Sequence, residues 1–294
     1  MNIAVIGGGK WGQALHFAFS QNHNSVITSR TKKDIAHFVS LDEALNHDYL
    51  VMALPAQIVG KWLKENFRYN NQKVLIAAKG IEAENGRFLN EIFSDFVPSD
   101  SLAYLSGPSF AAEVMKALPT ALVVSSKNKE TAYGFRAFFP NFIKSYADDD
   151  IVGAEISGAY KNVLAIASGL CDGLDLGLNA RASLIARGLV EMQRFGLSFG
   201  AKEATFLGLS GAGDLFLTAS SVLSRNYRVG AALAKGAKLD EILKELGEVA
   251  EGVLTSRAIS KISKERNIYT PIAREVSLII DGKSPLESLK DLLA

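Results

Sequence analysis

The stretch IAVIGGGKWGQAL, residues 3–15, decides how the rest of the chain is read. Four apolar residues, Ile3 to Ile6, run without interruption into Gly7-Gly8-Gly9-Lys10-Trp11-Gly12, and a helical pattern follows over residues 11–19. An uninterrupted apolar run of this kind suits a strand buried on both faces. In the Gly7-x-Gly9-x-x-Gly12 spacing each glycine has its own task. Gly7 permits the tight turn, Gly9 lets the backbone approach a pyrophosphate, and Gly12 lets helix and strand pack closely. The helix that opens there turns unpaired N–H groups toward the phosphates. Strand, glycine turn and helix in this order predict a dinucleotide site.

Working outward, the same rhythm continues. Runs rich in Val, Ile and Leu recur at residues 26–28, 49–53, 74–77, 102–105 and 121–124, with helical segments such as 58–66 between them. That alternation predicts a doubly wound α/β sheet of Rossmann type. A last run at 141–146 ends in the acidic turn Asp148-Asp149-Asp150. From about Ile151 the texture changes: helical spacing over 154–170, 182–195, 215–223 and 227–234, with glycine-rich breaks and no strand pattern. The expectation is an α/β dinucleotide-binding domain over residues 1–152 and an all-α domain over residues 153–294.

Composition narrows the function classes. At 294 residues the chain can bury two cores, and 48% hydrophobic against 21% charged residues is ordinary for a globular protein. A net charge of +1 leaves no electrostatic footprint for nucleic acid or an anionic membrane. An anionic ligand must then be caught by local cations. No apolar run reaches the roughly 18 residues of a membrane helix. The lone Cys171 excludes an internal disulfide and fits a reducing cytoplasm. The N-terminal MNIAVIGGG has no signal-peptide pattern.

Two cationic positions carry chemistry. The second strand should end near the adenosine ribose, where an acid binds the 2′-hydroxyl of NAD. Here the residues are Thr28-Ser29-Arg30-Thr31-Lys32-Lys33, with no acid before Asp34. Arg30 pairs with a 2′-phosphate, which favours NADP, or else Arg30 and the two lysines form a solvated loop. The second position is Lys161, the only charged side chain between Ile156 and Cys171. Its helix-face neighbours are Ser157, Gly158, Leu164 and Ala165, of which three are small and leave room for a ligand. Desolvation lowers a lysine pKa from about 10.4 toward general acid/base duty. The alternative is an ion-paired core lysine.

Longer motifs are more specific. ISGAYKNVLAIASGLCDGL at 156–174 resembles the signature of bacterial-type NAD(P)-dependent glycerol-3-phosphate dehydrogenase. SGPSFAAEV at 106–114, GLSGAGDLFLT at 208–218, SRN at 224–226, VAEGV at 249–253, Lys79-Gly80 and the opening GGGKWGQAL extend the resemblance over nearly the whole chain, in the family's order. It implies a Rossmann domain, a helical domain and an active site in the cleft between them. It implies reversible reduction of dihydroxyacetone phosphate to sn-glycerol 3-phosphate, feeding phospholipid synthesis, with NADP or NAD as cofactor. It implies a homodimer.

Residue by residue, Lys161 matches the family's proton donor and acceptor, and Lys79 a lysine touching cofactor and substrate. A charge at Lys79 would stabilise the developing oxyanion. Gly107 and Ser109 match substrate contacts and Ala111 a cofactor contact; Pro108 suits the first turn of a helix there. Ser224, Arg225 and Asn226 match the substrate-phosphate segment, and Arg225 can hold phosphate in a bidentate fork. Asp214 matches a substrate contact and is equally read as the N-cap of a helix over 215–223. Val249 and Glu251 fall on a second cofactor contact, and the resemblance also puts Lys10, Trp11 and Arg225 beside the cofactor. Three departures stand out. The stretch from Arg30 to Leu41 is short for the family, Lys10 replaces the commoner serine, and Tyr160 replaces the usual leucine.

Overall fold

The computed structural model describes residues 2–247 and 250–293. The chain divides into two compact units, Met1–Lys79 with Phe88–Glu155, and Gly80–Arg87 with Ile156–Ala294.

The first unit is the expected Rossmann-type α/β sheet. Its strands are β1 (Asn2–Ile6), β2 (Asn24–Thr28), β3 (Tyr49–Met52), β4 (Lys73–Ile76), β5 (Leu102–Ser106), β6 (Thr120–Ser125) and β7 (Ile143–Asp148). They lie in the order β2-β1-β3-β4-β5-β6-β7. Every pairing is parallel except β5 with β6. Because side chains alternate across a strand, Ile3 and Val5 join Leu15, Phe19 and Phe135 in one apolar layer, while Ala4 and Ile6 join Leu50, Leu63 and Phe93 in the other. Both faces are covered, which is why β1 carries no polar residue after Asn2. The helix Lys10–Phe19 belongs to the first layer and Val59–Asn66 to the second.

The short segment after Arg30 folds back on the sheet edge. Ile27 N–H donates to His37 O (3.1 Å) and Val39 N–H to Ile27 O (3.0 Å), which covers part of the exposed side of β2. The buried His16 ring anchors the return, with Nε2 2.9 Å from Ala36 O and Nδ1 2.9 Å from Ser25 Oγ. Burial pushes the His16 imidazole below its ordinary pKa. A neutral ring fits both partners: Nε2–H donates to the carbonyl and Nδ1 accepts from the hydroxyl.

The second unit is helical, and no strand lies beyond Asp148 among the described residues. The helix Ile151–Gly173 is longer at both ends than the pattern over 154–170 suggested. Asp150 begins it, its Oδ1 accepting from Gly153 N–H at 2.8 Å. Residues 153–171 are buried on all sides, so polar groups within them must find partners in the protein or a ligand. Around residues 156–173 stand Gly177–Leu197, Arg225–Ala234, Glu251–Glu265 and Pro271–Ile280. The helix expected over 215–223 is instead Asp214–Ala219, entered through a widened helical turn at Leu209–Gly213. Ser168 Oγ donates to Ala219 O (2.7 Å) at its end, and Ser224 N–H bonds back to Ser221 O (3.0 Å) in the following turn. Val222 and Leu223, which extended the apolar pattern, are 69% and 58% exposed. Among the described residues no helix is long and apolar enough to cross a membrane.

Candidate active site

In the first unit the predicted residues gather at the carboxyl ends of the parallel strands, where open α/β sheets bind ligands. Gly7 follows β1 with φ +124°, its N–H donates to Thr28 O (2.9 Å), and a Cβ there would lie 2.3 Å from Ala53 O. A Cβ on Gly12 would lie 1.8 Å from Gly7 O. Both glycines are therefore demanded by the protein's own backbone. Gly9 is different: φ −72° and ψ 174° suit any residue, and no atom lies within 4 Å of a Cβ built there. Nothing in the fold requires glycine at that point, and no side chain caps the helix that starts at Lys10. Open space before uncapped N–H groups is what a dinucleotide pyrophosphate needs, so the residues present fit the implied cofactor.

Neighbouring residues complete this edge. Trp11 Nε1–H donates to Ala77 O (3.0 Å), joining the glycine loop to the segment after β4 that leads to Lys79. Lys79 Nζ reaches Gly107 O (3.5 Å), beyond the end of β5. Gly107 has φ +110°, and Ser109 Oγ donates to its carbonyl (3.2 Å). Pro108 does not open a helix. It lies in this tight turn, and the helix begins only at Ala111 (Ala111–Val114), after the left-handed Gly107 has redirected the chain. Arg30 and Lys10 are exposed. Lys33 reaches in, its Nζ donating to Gly8 O at 2.7 Å.

In the second unit Lys161 is 7% exposed. Its Nζ donates to Asp214 Oδ1 (2.5 Å) and Thr218 Oγ1 (2.9 Å), both buried. The lysine is thus ion-paired, and the Asp214 carboxylate stabilises the ammonium that burial alone would disfavour. Asp214 is not an N-cap. Gly213 before it is already helical, at φ −59° and ψ −51°, and no side chain caps that end. The widened turn runs straight into the helix and leaves the Asp214 carboxylate to Lys161.

The Ser224-Arg225-Asn226 segment opens the helix Arg225–Ala234. Ser224 Oγ accepts from Tyr227 N–H (3.3 Å), so the serine is that helix's N-cap. Arg225 is exposed, while Asn226 is buried and its Oδ1 accepts from Gly252 N–H (3.0 Å). A Cβ on Gly252 would lie 2.7 Å from Asn162 O and 2.8 Å from Asn226 Oδ1. The segment is therefore held close to the residue after Lys161. Glu251, half-buried, starts the helix Glu251–Glu265 beside it. Val249 lies outside the described residues.

Comparison with known proteins decides the family. Residues 28–132 match the N-terminal domain of NAD-dependent glycerol-3-phosphate dehydrogenase, and residues 150–291 match its C-terminal domain. The chain belongs to this family. A glycerol-3-phosphate dehydrogenase (NAD(P)+) of Sulfurimonas denitrificans is 60% identical over 292 residues, covering 99% of both chains. One from Campylobacter jejuni is 63% identical over 293 residues, covering 100% of this chain and 99% of the relative. Among solved structures, the glycerol-3-phosphate dehydrogenase of Coxiella burnetii superposes with a TM-score of 0.91 at 29% identity, covering 99% of this chain and 98% of its own.

Within this glycerol-3-phosphate dehydrogenase family member, two site neighbours escaped sequence reasoning. Thr218 had a signal, because it stands four residues after Asp214 on one helix and must share its face. Lys33 had none. Its reach to Gly8 depends on the path of the short segment between β2 and the edge pairing at Phe38.

Proposed function

We propose that this chain catalyses the reversible NAD(P)H-dependent reduction of dihydroxyacetone phosphate to sn-glycerol 3-phosphate. The observation that carries the reading is the buried Lys161–Asp214–Thr218 cluster. The nicotinamide cofactor supplies the hydride. Asp214 and Thr218 hold Lys161 Nζ in one orientation, from which it gives a proton to the substrate C2 oxygen and in the reverse direction takes it back. Lys79 supplies a second charge against the oxyanion. Arg225 forks the substrate phosphate, with Ser224 and Asn226 shaping the segment that carries it. Asp214 contacts substrate as well as Lys161, and Gly107 and Ser109 line the same substrate.

The glycine loop with Lys10 and Trp11, the Ala111 turn, Arg225 and the Val249–Glu251 stretch hold the cofactor. In this reading residues 1–152 form the dinucleotide-binding domain and residues 153–294 the helical substrate-binding and catalytic domain, with single residues of each reaching the other's ligand. NADPH is the preferred cofactor, supported by Arg30 and Lys33 at the end of β2 and by the lack of an acid before Asp34. Self-association into a homodimer is supported by Leu178, Val190 and Leu197, exposed on the helix Gly177–Leu197. A cytoplasmic location is supported by the single, unbridged Cys171.

The test is oxidation of NADPH and NADH at 340 nm with dihydroxyacetone phosphate, dihydroxyacetone, pyruvate and 3-oxoacids. The phosphorylated ketone with NADPH should be turned over fastest. Comparable rates without the phosphate would sink the role given to Arg225.

A further inference from the structure

The helix Arg225–Ala234 lies backbone against backbone on the Lys161 helix, Ile151–Gly173. A Cβ on Gly169 would lie 2.0 Å from Tyr227 O, and one on Gly230 would lie 1.9 Å from Ile166 O. At Gly173 the same construction meets Ala231 O at 2.8 Å. Reciprocal glycines bring the two helices as close as backbones allow. Such a contact is smooth. It fixes how closely the helices approach, and at Gly173 the small Ala234 side chain is the nearest group, so few bulky side chains set the rotation of one helix on the other at these glycines.

Directionality comes from a neighbouring cluster. Asp172, three residues beyond Gly169, accepts from Tyr227 OH (2.5 Å) and from Arg181 Nη1 (2.5 Å) on the same oxygen, Oδ2. Burial, and then the bond to Asp172, push the Tyr227 phenol above its ordinary pKa, as befits a hydroxyl that keeps its proton and donates. Tyr227 directly follows Asn226, and Ser224 Oγ holds its backbone N–H. Its side chain is fixed to the Lys161 helix and its backbone to the phosphate segment.

We infer that Asp172 is a positioning residue for the substrate phosphate: through Tyr227 it sets the rotation of the first turn of Arg225–Ala234, and hence the direction of Arg225. This rests on the phosphate role proposed for Arg225. Arg181, from the helix Gly177–Leu197, keeps the carboxylate turned toward Tyr227. Asp172 and Arg181 retain 23% and 27% side-chain exposure, so the effect is moderate.

The experiment compares the full-length wild type with Tyr227→Phe, Asp172→Asn and the double variant. It reads the KM for dihydroxyacetone phosphate, the Ki of inorganic phosphate as competitor, kcat, the KM for NADPH and the melting temperature. Each single variant should raise the substrate KM and the phosphate Ki together, by about tenfold, since a hydrogen bond to a charged acceptor is lost. Values of kcat should stay within about twofold, and NADPH KM should rise as well because Arg225 also lies against the cofactor. Adding Tyr227→Phe to Asp172→Asn should cost little more, since the hydroxyl acts through that carboxylate. Unchanged KM and Ki in both variants overturn the positioning role, as does a fall in kcat of the same size. Should Tyr227→Phe fail to fold, Asp172→Asn carries the same comparison. A wild type inactive on dihydroxyacetone phosphate would overturn the functional reading itself, and the positioning role with it.

Discussion

The two units build their candidate sites from different material. In the first, the dinucleotide loop is main chain: Gly7 and Gly12 are forced by backbone proximity, and Gly9 leaves space that no protein atom claims. In the second, three buried side chains, Lys161, Asp214 and Thr218, come from positions up to 57 residues apart. A backbone site works by the absence of side chains and holds a ligand through many weak donors. A side-chain site concentrates its effect on one proton and one charge pair. The two should therefore fail differently when altered.

The largest expected effect is at Lys161. Lys161→Ala should cost roughly 10²- to 10⁴-fold in kcat, the usual share of general acid–base catalysis. NADPH binding, followed by fluorescence titration, should persist. It also strands the Asp214 carboxylate, so melting temperature should drop, as removal of one partner of a buried pair does. Cofactor affinity falling as steeply as turnover would erase the distinction between the units.

Next is a contrast inside the loop. Gly12→Ala forces a Cβ to 1.8 Å from Gly7 O and should remove at least about 2 kcal/mol of stability. Gly9→Ala should change stability by no more than roughly 0.5 kcal/mol, yet weaken NADPH about tenfold by occupying the pyrophosphate's space. Wild-type NADPH affinity in Gly9→Ala would mean that the open space is not the phosphate site.

The smallest effect concerns a buried charge handled in the opposite way to Lys161. Glu155 is 1% exposed, accepts from Asn90 N–H (3.0 Å) and has another carboxylate, Glu91, as its charged neighbour. Burial pushes its carboxyl from 4.5 up to about 8. A carboxyl raised in the folded state contributes stability that is complete below pH 4.5 and lost as pH rises through about 8. Glu155→Gln should therefore flatten the fall in melting temperature between about pH 4.5 and 8. Parallel pH profiles for the variant and the wild type would show that Glu155 does not titrate in this range.

Much of this was legible beforehand because it is local. Uninterrupted apolar runs became strands covered on both faces, and the glycine spacing became a turn with the geometry those glycines permit. Where local reading failed, tertiary contacts had overruled it. The pattern at 215–223 looked helical through Val222 and Leu223, but the chain turns after Ala219, whose carbonyl is bonded by Ser168 of another helix. Asp214 looked like a cap because Asp commonly caps helices. A widened turn ahead of it removed the need and released its carboxylate to Lys161.

By itself the sequence determined the alternating sheet, the helical second half, the dinucleotide loop and the candidacy of Lys161, since each follows from spacing within a few turns or strands. Only the tertiary structure decided which partners Lys161 has, that Lys33 reaches Gly8, that His16 ties down the segment after Arg30, and that Asp172 grips Tyr227. Those contacts join residues 20 or more positions apart. Their existence depends on how closely helices approach and where loops return, and in this chain glycines at helix contacts and the path of short loops set both.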